Sequence, residues 1–234
     1  MRRTAWGLSA MLVSFLLGTV IAVGSLIAMG GKMDTAALTA QPFSVPTCLV
    51  SCLDPAAILL EIVAIVLIVA GSRQLGNPHR RLVWTAAISF VVWNVANWGG
   101  FVPLSFLGMQ SGSLLMVQAG QVIKAVAALL QYSVPFLLAF GLSHGWTRTL
   151  LWLALVSTVI GNFGVVALPI AGIQLEAIQL SDQTVYVPRF SVDYRTSLYP
   201  VLLALGYLGG ALYMLAYAFL IWQTWRKARR SPAS

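Results

Sequence analysis

The sequence predicts an all-α fold, a polytopic integral membrane protein built as a bundle of six transmembrane helices, and three observations carry that prediction. Of the 234 residues, 59% are hydrophobic and only 9% are charged, with a mean hydropathy of +0.86, far too apolar for a soluble domain of this length. Long apolar runs recur along the chain, and a helix of about 20 such residues crosses a hydrocarbon core of about 30 Å. The basic residues, which give a net charge of +8, fall mostly in short segments between those runs, where they act as topology signals. A nucleic-acid-binding face would need them gathered on an exposed surface, so that class of partner is excluded.

The spans follow in order. Residues 4–29 carry no charge, a stretch longer than the 7–15 residues of a signal-peptide core, so this is a first helix. The second span, 55–73, opens with Asp54-Pro55, a side chain suited to an N-cap followed by proline at the first helical position. The third, 82–101, is expected to stop at Gly99-Gly100, with Pro103 beyond. The fourth, 115–142, holds Pro135 as an expected kink. The fifth is 149–173 and the sixth 198–225. Gly206 and Gly210 form a GxxxG pair in the sixth, and Gly161 with Gly164 offers a second small-residue face. The longer connections are 30–54 and 174–197, and the segment TVYVPRFSVDY in the latter alternates as an extended strand would. The whole is expected to form one domain.

Placing Arg2, Arg3, Arg73, Arg80, Arg81, Arg148, Arg226, Lys227, Arg229 and Arg230 on one side leaves Lys32, Arg189 and Arg195 on the other and Lys124 in or near the membrane. By the positive-inside rule both termini are cytoplasmic and the membrane is the plasma (inner) membrane. The lipid bilayer is then the first partner, with partner membrane subunits or further copies of the chain as others.

One carboxylate interrupts the second span. Glu61 precedes Arg73 by twelve residues, which places it about 18 Å from the cytoplasmic edge, near mid-membrane. An ionisable group there is costly unless paired or wetted, and marks a functional site by default. Counting inward from the same side puts Ser14, Asn94, Gln131, Asn162 and Tyr213 at depths of about 16–21 Å. Amides and acids disfavour lipid, so Asn94, Gln131 and Asn162 are expected to face the bundle with Glu61. Lys124 shares a helical face with Gln131. It either snorkels to the outer interface or, with Asn97 nearby in depth, extends the polar cluster upward and pairs with Glu61.

The remaining chemistry is sparse. Two histidines, His79 and His144, lie in expected cytoplasmic turns, so two buried axial ligands for a haem are lacking. No metal, cofactor or catalytic constellation is recognisable. Cys48 and Cys52 are spaced one residue wider than a CxxC motif, and a small disulfide, free thiols and redox chemistry are all open for them. The functional expectation is binding or translocation of an ion, proton or small solute by Glu61, Asn94, Asn97, Gln131, Asn162 and Lys124. Alternatives are a non-catalytic accessory subunit of a larger membrane complex and a membrane enzyme acting on lipid or thiol substrates, with the balance against an enzyme.

Overall fold

A computed structural model describes residues 2–28, 45–180, 183–190 and 198–230. The chain is mostly helical, with six helices long and apolar enough to cross a membrane: Arg2–Ile21, Pro55–Ser72, Asn77–Ser111, Leu114–Phe140, Trp146–Ala167 and Tyr199–Ala228. In chain order the elements are α1 (Arg2–Ala28), α2 (Val45–Ser72), α3 (Asn77–Ala96), a π-turn (Asn97–Phe101) and α4 (Val102–Ser111). Then come α5 (Leu114–Phe140), α6 (Trp146–Thr158), a second π-turn (Val159–Phe163), α7 (Gly164–Ala167) and a 3₁₀ turn (Leu168–Gly172). A β-hairpin of β1 (Ile173–Leu180) and β2 (Gln183–Phe190) precedes the last helix, α8 (Tyr199–Arg230). Large apolar side chains such as Leu59, Val66, Val95, Val126 and Val156 are exposed, as lipid-facing positions should be.

Three boundaries differ from expectation, each for a physical reason. Helix α2 begins at Val45, so Pro55 lies inside it and Asp54 does not open it. The third span does not stop at Gly99-Gly100. Pro103 has no N–H to return to the preceding turn, and the chain widens there into the π-turn, with Val102 N–H donating to Asn97 O. Helix α4 then runs on until Gly112, whose φ of +68° is a left-handed cap with its N–H on Gly108 O. Finally, the segment after the 3₁₀ turn is a two-stranded antiparallel sheet, in register from Ile173↔Phe190 to Leu180↔Gln183. It is the exception to an all-helical chain. The Tyr186 ring packs over Gly112, with Cζ 2.8 Å from where a Cβ would stand, which ties the hairpin to the α4–α5 turn.

The chain forms two compact units. The first comprises Met1–Trp84, Leu138–Thr147 and Met214–Ser234. Here α1 packs antiparallel along α2: Thr4 meets Gly71, Gly7 meets Ile68 and Ala64, and Ser14 meets Ala57 and Glu61. Rising numbers on one helix meet falling numbers on the other. Two edge-to-face ring pairs, Trp6–Trp225 and Phe15–Tyr217, at 5.4 and 5.3 Å between centroids, align α1 with α8.

The second unit comprises Thr85–Leu137 and Arg148–Tyr213. Its tightest seam joins the span of α6 to the start of α8: Thr158 meets Gly209, Gly161 meets Gly206, and Gly164 meets Leu202. A Cβ on Gly161 would come within 2.6 Å of Gly206 Cα and Leu202 O. The packed pair in α8 is therefore Gly206 with Gly209, while Gly210 has nothing within 4 Å of where its Cβ would be. Gly161→Val is expected to lower stability by about 1–3 kcal/mol through overpacking, and Gly210→Ala to change it by less than about 0.5 kcal/mol. Reversible unfolding in mixed micelles checks both, and equal effects would show that the seam is misplaced.

Candidate functional site

Glu61 lies on the face of α2 that carries Ala57, Ala64, Ile65 and Ile68, the last three buried. Positions 57, 61, 64, 65 and 68 repeat at helical spacing, and that stripe is the one laid against α1. Opposite it, Ser14 is buried at 3% exposure on the stripe that includes Thr4, Leu8 and Met11. The Thr4/Gly71 pair marks one end of the seam, and ten residues further along each helix, about 15 Å, stand Ser14 and Glu61. The pair thus stands well inside the α1–α2 seam, away from the end marked by Thr4 and Gly71.

The hydrogen-bond geometry poses a question of proton supply. Ser14 Oγ lies 3.2 Å from Ala57 O and 3.4 Å from Glu61 Oε1. A hydroxyl has one proton and two lone pairs. It can donate fully to only one of these oxygens, and the lengths fit a shared bond. If the carboxyl carries a proton, it donates to Ser14 Oγ, Ser14 donates to Ala57 O, and all three oxygens are satisfied. If the carboxylate is ionised, the hydroxyl turns to it and Ala57 O keeps only the N–H of its own helix. The site therefore has two hydrogen-bonded arrangements that differ by one proton on Glu61.

The other sequence-predicted residues belong to the second unit. Asn94 Nδ2 donates to Phe90 O, one turn back on its own helix, at 2.8 Å, which ties the amide to its own backbone. Asn97 begins the first π-turn. Asn162 lies in the second, its side-chain oxygen against Gly206. Gln131 is half-buried beside Pro135, which withholds the N–H that Gln131 O would normally receive. Around that break, Tyr213 Oη donates to Tyr132 O at 3.3 Å and Ser133 Oγ to Leu130 O at 2.7 Å. Lys124 Nζ sits 4.8 Å from the centre of the Phe101 ring, a cation–π contact that holds it at the end of the first π-turn. Among the described residues no hydrogen bond joins Asn94, Asn97, Lys124, Gln131 and Asn162 to one another.

Several polar residues play parts not foreseen from sequence. Thr4, Ser105, Thr158 and His79 are buried or part-buried, and Thr4 Oγ1, Ser105 Oγ, Thr158 Oγ1 and both His79 ring nitrogens have no hydrogen-bond partner among the described residues. Each of the four rests against a glycine: Gly71, Gly120, Gly209 and Gly141 respectively. His79 is thus packed into the bundle and does not sit in a solvated turn. The two π-turns, NWGGF and VIGNF, share an asparagine and glycine within an apolar span, and that shared composition was the available signal. Cys48 and Cys52 fall on α2, but their side chains lie outside the described residues. No group of three or more His, Cys, Asp or Glu suited to a metal gathers among the described residues.

No family model matches the chain, and no curated protein or solved structure matches it either. The functional argument therefore rests on these residues. A double-mutant cycle on Ser14→Ala and Glu61→Gln is expected to return a coupling of about 0.6 kcal/mol, rising to about 1.7 at most, as for other hydrogen bonds between membrane helices. Unfolding in mixed micelles measures it, and a coupling of zero would mean that the two side chains do not interact.

Proposed function

We propose that this chain is a plasma-membrane protein, both termini cytoplasmic, that binds or translocates a proton, ion or small solute, with Glu61 as its charge-carrying group. The observation that carries the reading is the Ser14–Glu61–Ala57 arrangement, in which one hydroxyl proton serves two acceptors and a second proton would complete the set. A carboxyl that is only structural would be better served by two donors. Here the acid faces a serine whose hydroxyl can both accept and donate, so gain and loss of a proton are both accommodated without moving a helix.

In this reading Glu61 holds the proton, Ser14 relays the change in hydrogen bonding to α2 through Ala57 O, and the tight α1–α2 seam keeps bulk water from bypassing the acid. The mid-span amides Asn94, Asn97, Gln131 and Asn162, with Lys124, supply the polar surface for a solute or ion in the other unit. Asn162 and Asn97 stand on widened turns, a backbone form that recurs at functional positions in helices.

Reconstitution into vesicles with a trapped pH dye tests the proposal. The wild-type chain is expected to support a proton or proton-coupled flux that falls on the order of tenfold or more in Glu61→Gln, because the amide cannot exchange a proton. Ser14→Ala should lower the flux less. Carbodiimide labelling, which requires a protonated carboxyl, should modify Glu61 and fade as pH rises. Wild-type flux in Glu61→Gln would sink the proposal.

A further inference from the structure

We infer that the basic end of the first unit carries a binding site for the phosphate head group of an anionic phospholipid, set in a cleft between the ends of four chain segments. A cavity of about 40 Å³ is lined there by Thr4, Leu75, Leu142, Leu220, Gln223, Thr224 and Lys227. At about 10–15 Å³ for each water, it holds about three, the space of one phosphate group. The lining is divided by chemistry. Leu75, Leu142 and Leu220 form an apolar wall, and Gln223 with Lys227, one turn apart on α8, form a polar one.

Donors on the polar wall are free for a ligand. Neither the Gln223 amide nor the Lys227 ammonium has a hydrogen bond or ion pair among the described residues. Thr224 Oγ1 donates to Leu220 O at 2.7 Å, which fixes its rotamer and leaves its lone pairs toward other donors. The neighbouring cation is already engaged, since the Arg226 guanidinium lies 5.3 Å from the centre of the Trp222 ring.

The surroundings select an anion. The described segments that supply the lining, 2–10, 70–84, 138–147 and 220–230, contain arginines and Lys227 and no Asp or Glu. A neutral or cationic ligand would find no counter-charge there, whereas an anion is drawn to it. They also select a lipid. Trp6, Trp146 and Trp222 at this end are 59%, 60% and 54% exposed, the placement of indoles at the head-group level. The leucine wall gives the glycerol and first acyl carbons a surface that a free phosphate would not use. A basic pocket between helix ends at the membrane surface is the form such lipid sites take.

The test uses the full chain reconstituted in phosphatidylcholine bilayers with a minor share of phosphatidylglycerol, extracted gently, with retained lipid measured by mass spectrometry. Phosphatidylglycerol is expected to be retained in preference to phosphatidylcholine. Lys227→Gln should reduce that retention about fivefold, the effect of one cation at a membrane surface, and Gln223→Leu should also reduce it. Lys227→Arg should preserve it, and Arg226→Gln, whose guanidinium is held over the Trp222 ring, should reduce it less than Lys227→Gln does. Elution profile and helicity confirm folding of each variant, and Gln223→Leu reads the site if Lys227→Gln does not fold. Undiminished retention in both variants overturns the proposal. So does inorganic phosphate binding as tightly as phosphatidylglycerol, which would make this a free-anion site.

Discussion

Close approach of helices at glycines facing polar side chains is the constraint on which the rest of the architecture depends. Between helices in lipid there is no hydrophobic gain from contact, because the tails are as apolar as leucine, so association rests on packing and polar contacts. This chain meets that requirement repeatedly: Thr4 with Gly71, Ser105 with Gly120, His79 with Gly141, Thr158 with Gly209, and Asn162 with Gly206. Where a Cβ would stand, each glycine has a hydrogen directed at the polar group. A Cα–H···O contact adds about 0.5–1 kcal/mol and offsets part of the cost of burying the three hydroxyl oxygens, while leaving their protons unpaired among the described residues.

That device also sets the stage for Glu61. The Thr4/Gly71 and Gly7/Ile68 contacts bring the first turns of α1 close enough to the last turns of α2 that Ser14 arrives at the carboxylate without a longer side chain. A larger residue at position 7 or 71 would separate the helices and leave the serine hydroxyl short of its acceptors. The site and the seam are therefore one structure, in which small residues at one end of the helix pair determine a hydrogen bond about 15 Å further along it.

The six spans were legible because each is a long apolar run, and length and hydropathy are properties that no tertiary contact can override. Glu61 was legible because a single acid in such a run has few explanations. Its partner was not. Ser14 stood out only as one polar residue among several at the same depth, and serine is common in spans. The end of the third span was misread for a backbone reason: Gly99, Gly100 and Pro103 are stop signals in water, but in lipid a helix cannot end without leaving backbone groups unsatisfied, so the chain widened a turn and continued. The choice of Gly209 over Gly210 as the packed glycine was likewise invisible, since both positions repeat at near-helical spacing from Gly206 and only the facing helix distinguishes them.

The two widened turns have a consequence for how faces are assigned along their helices. A residue added within a turn rotates everything beyond it by about 100° relative to an unbroken α-helix. Beyond Phe101 and Phe163, wheel arithmetic carried over from the first half of the span points the wrong way. Each interrupted rod thus presents two independently phased stripes, one on either side of its asparagine-bearing turn. Ser105 and Gly108 can address α5 while the stretch before Asn97 keeps an orientation of its own.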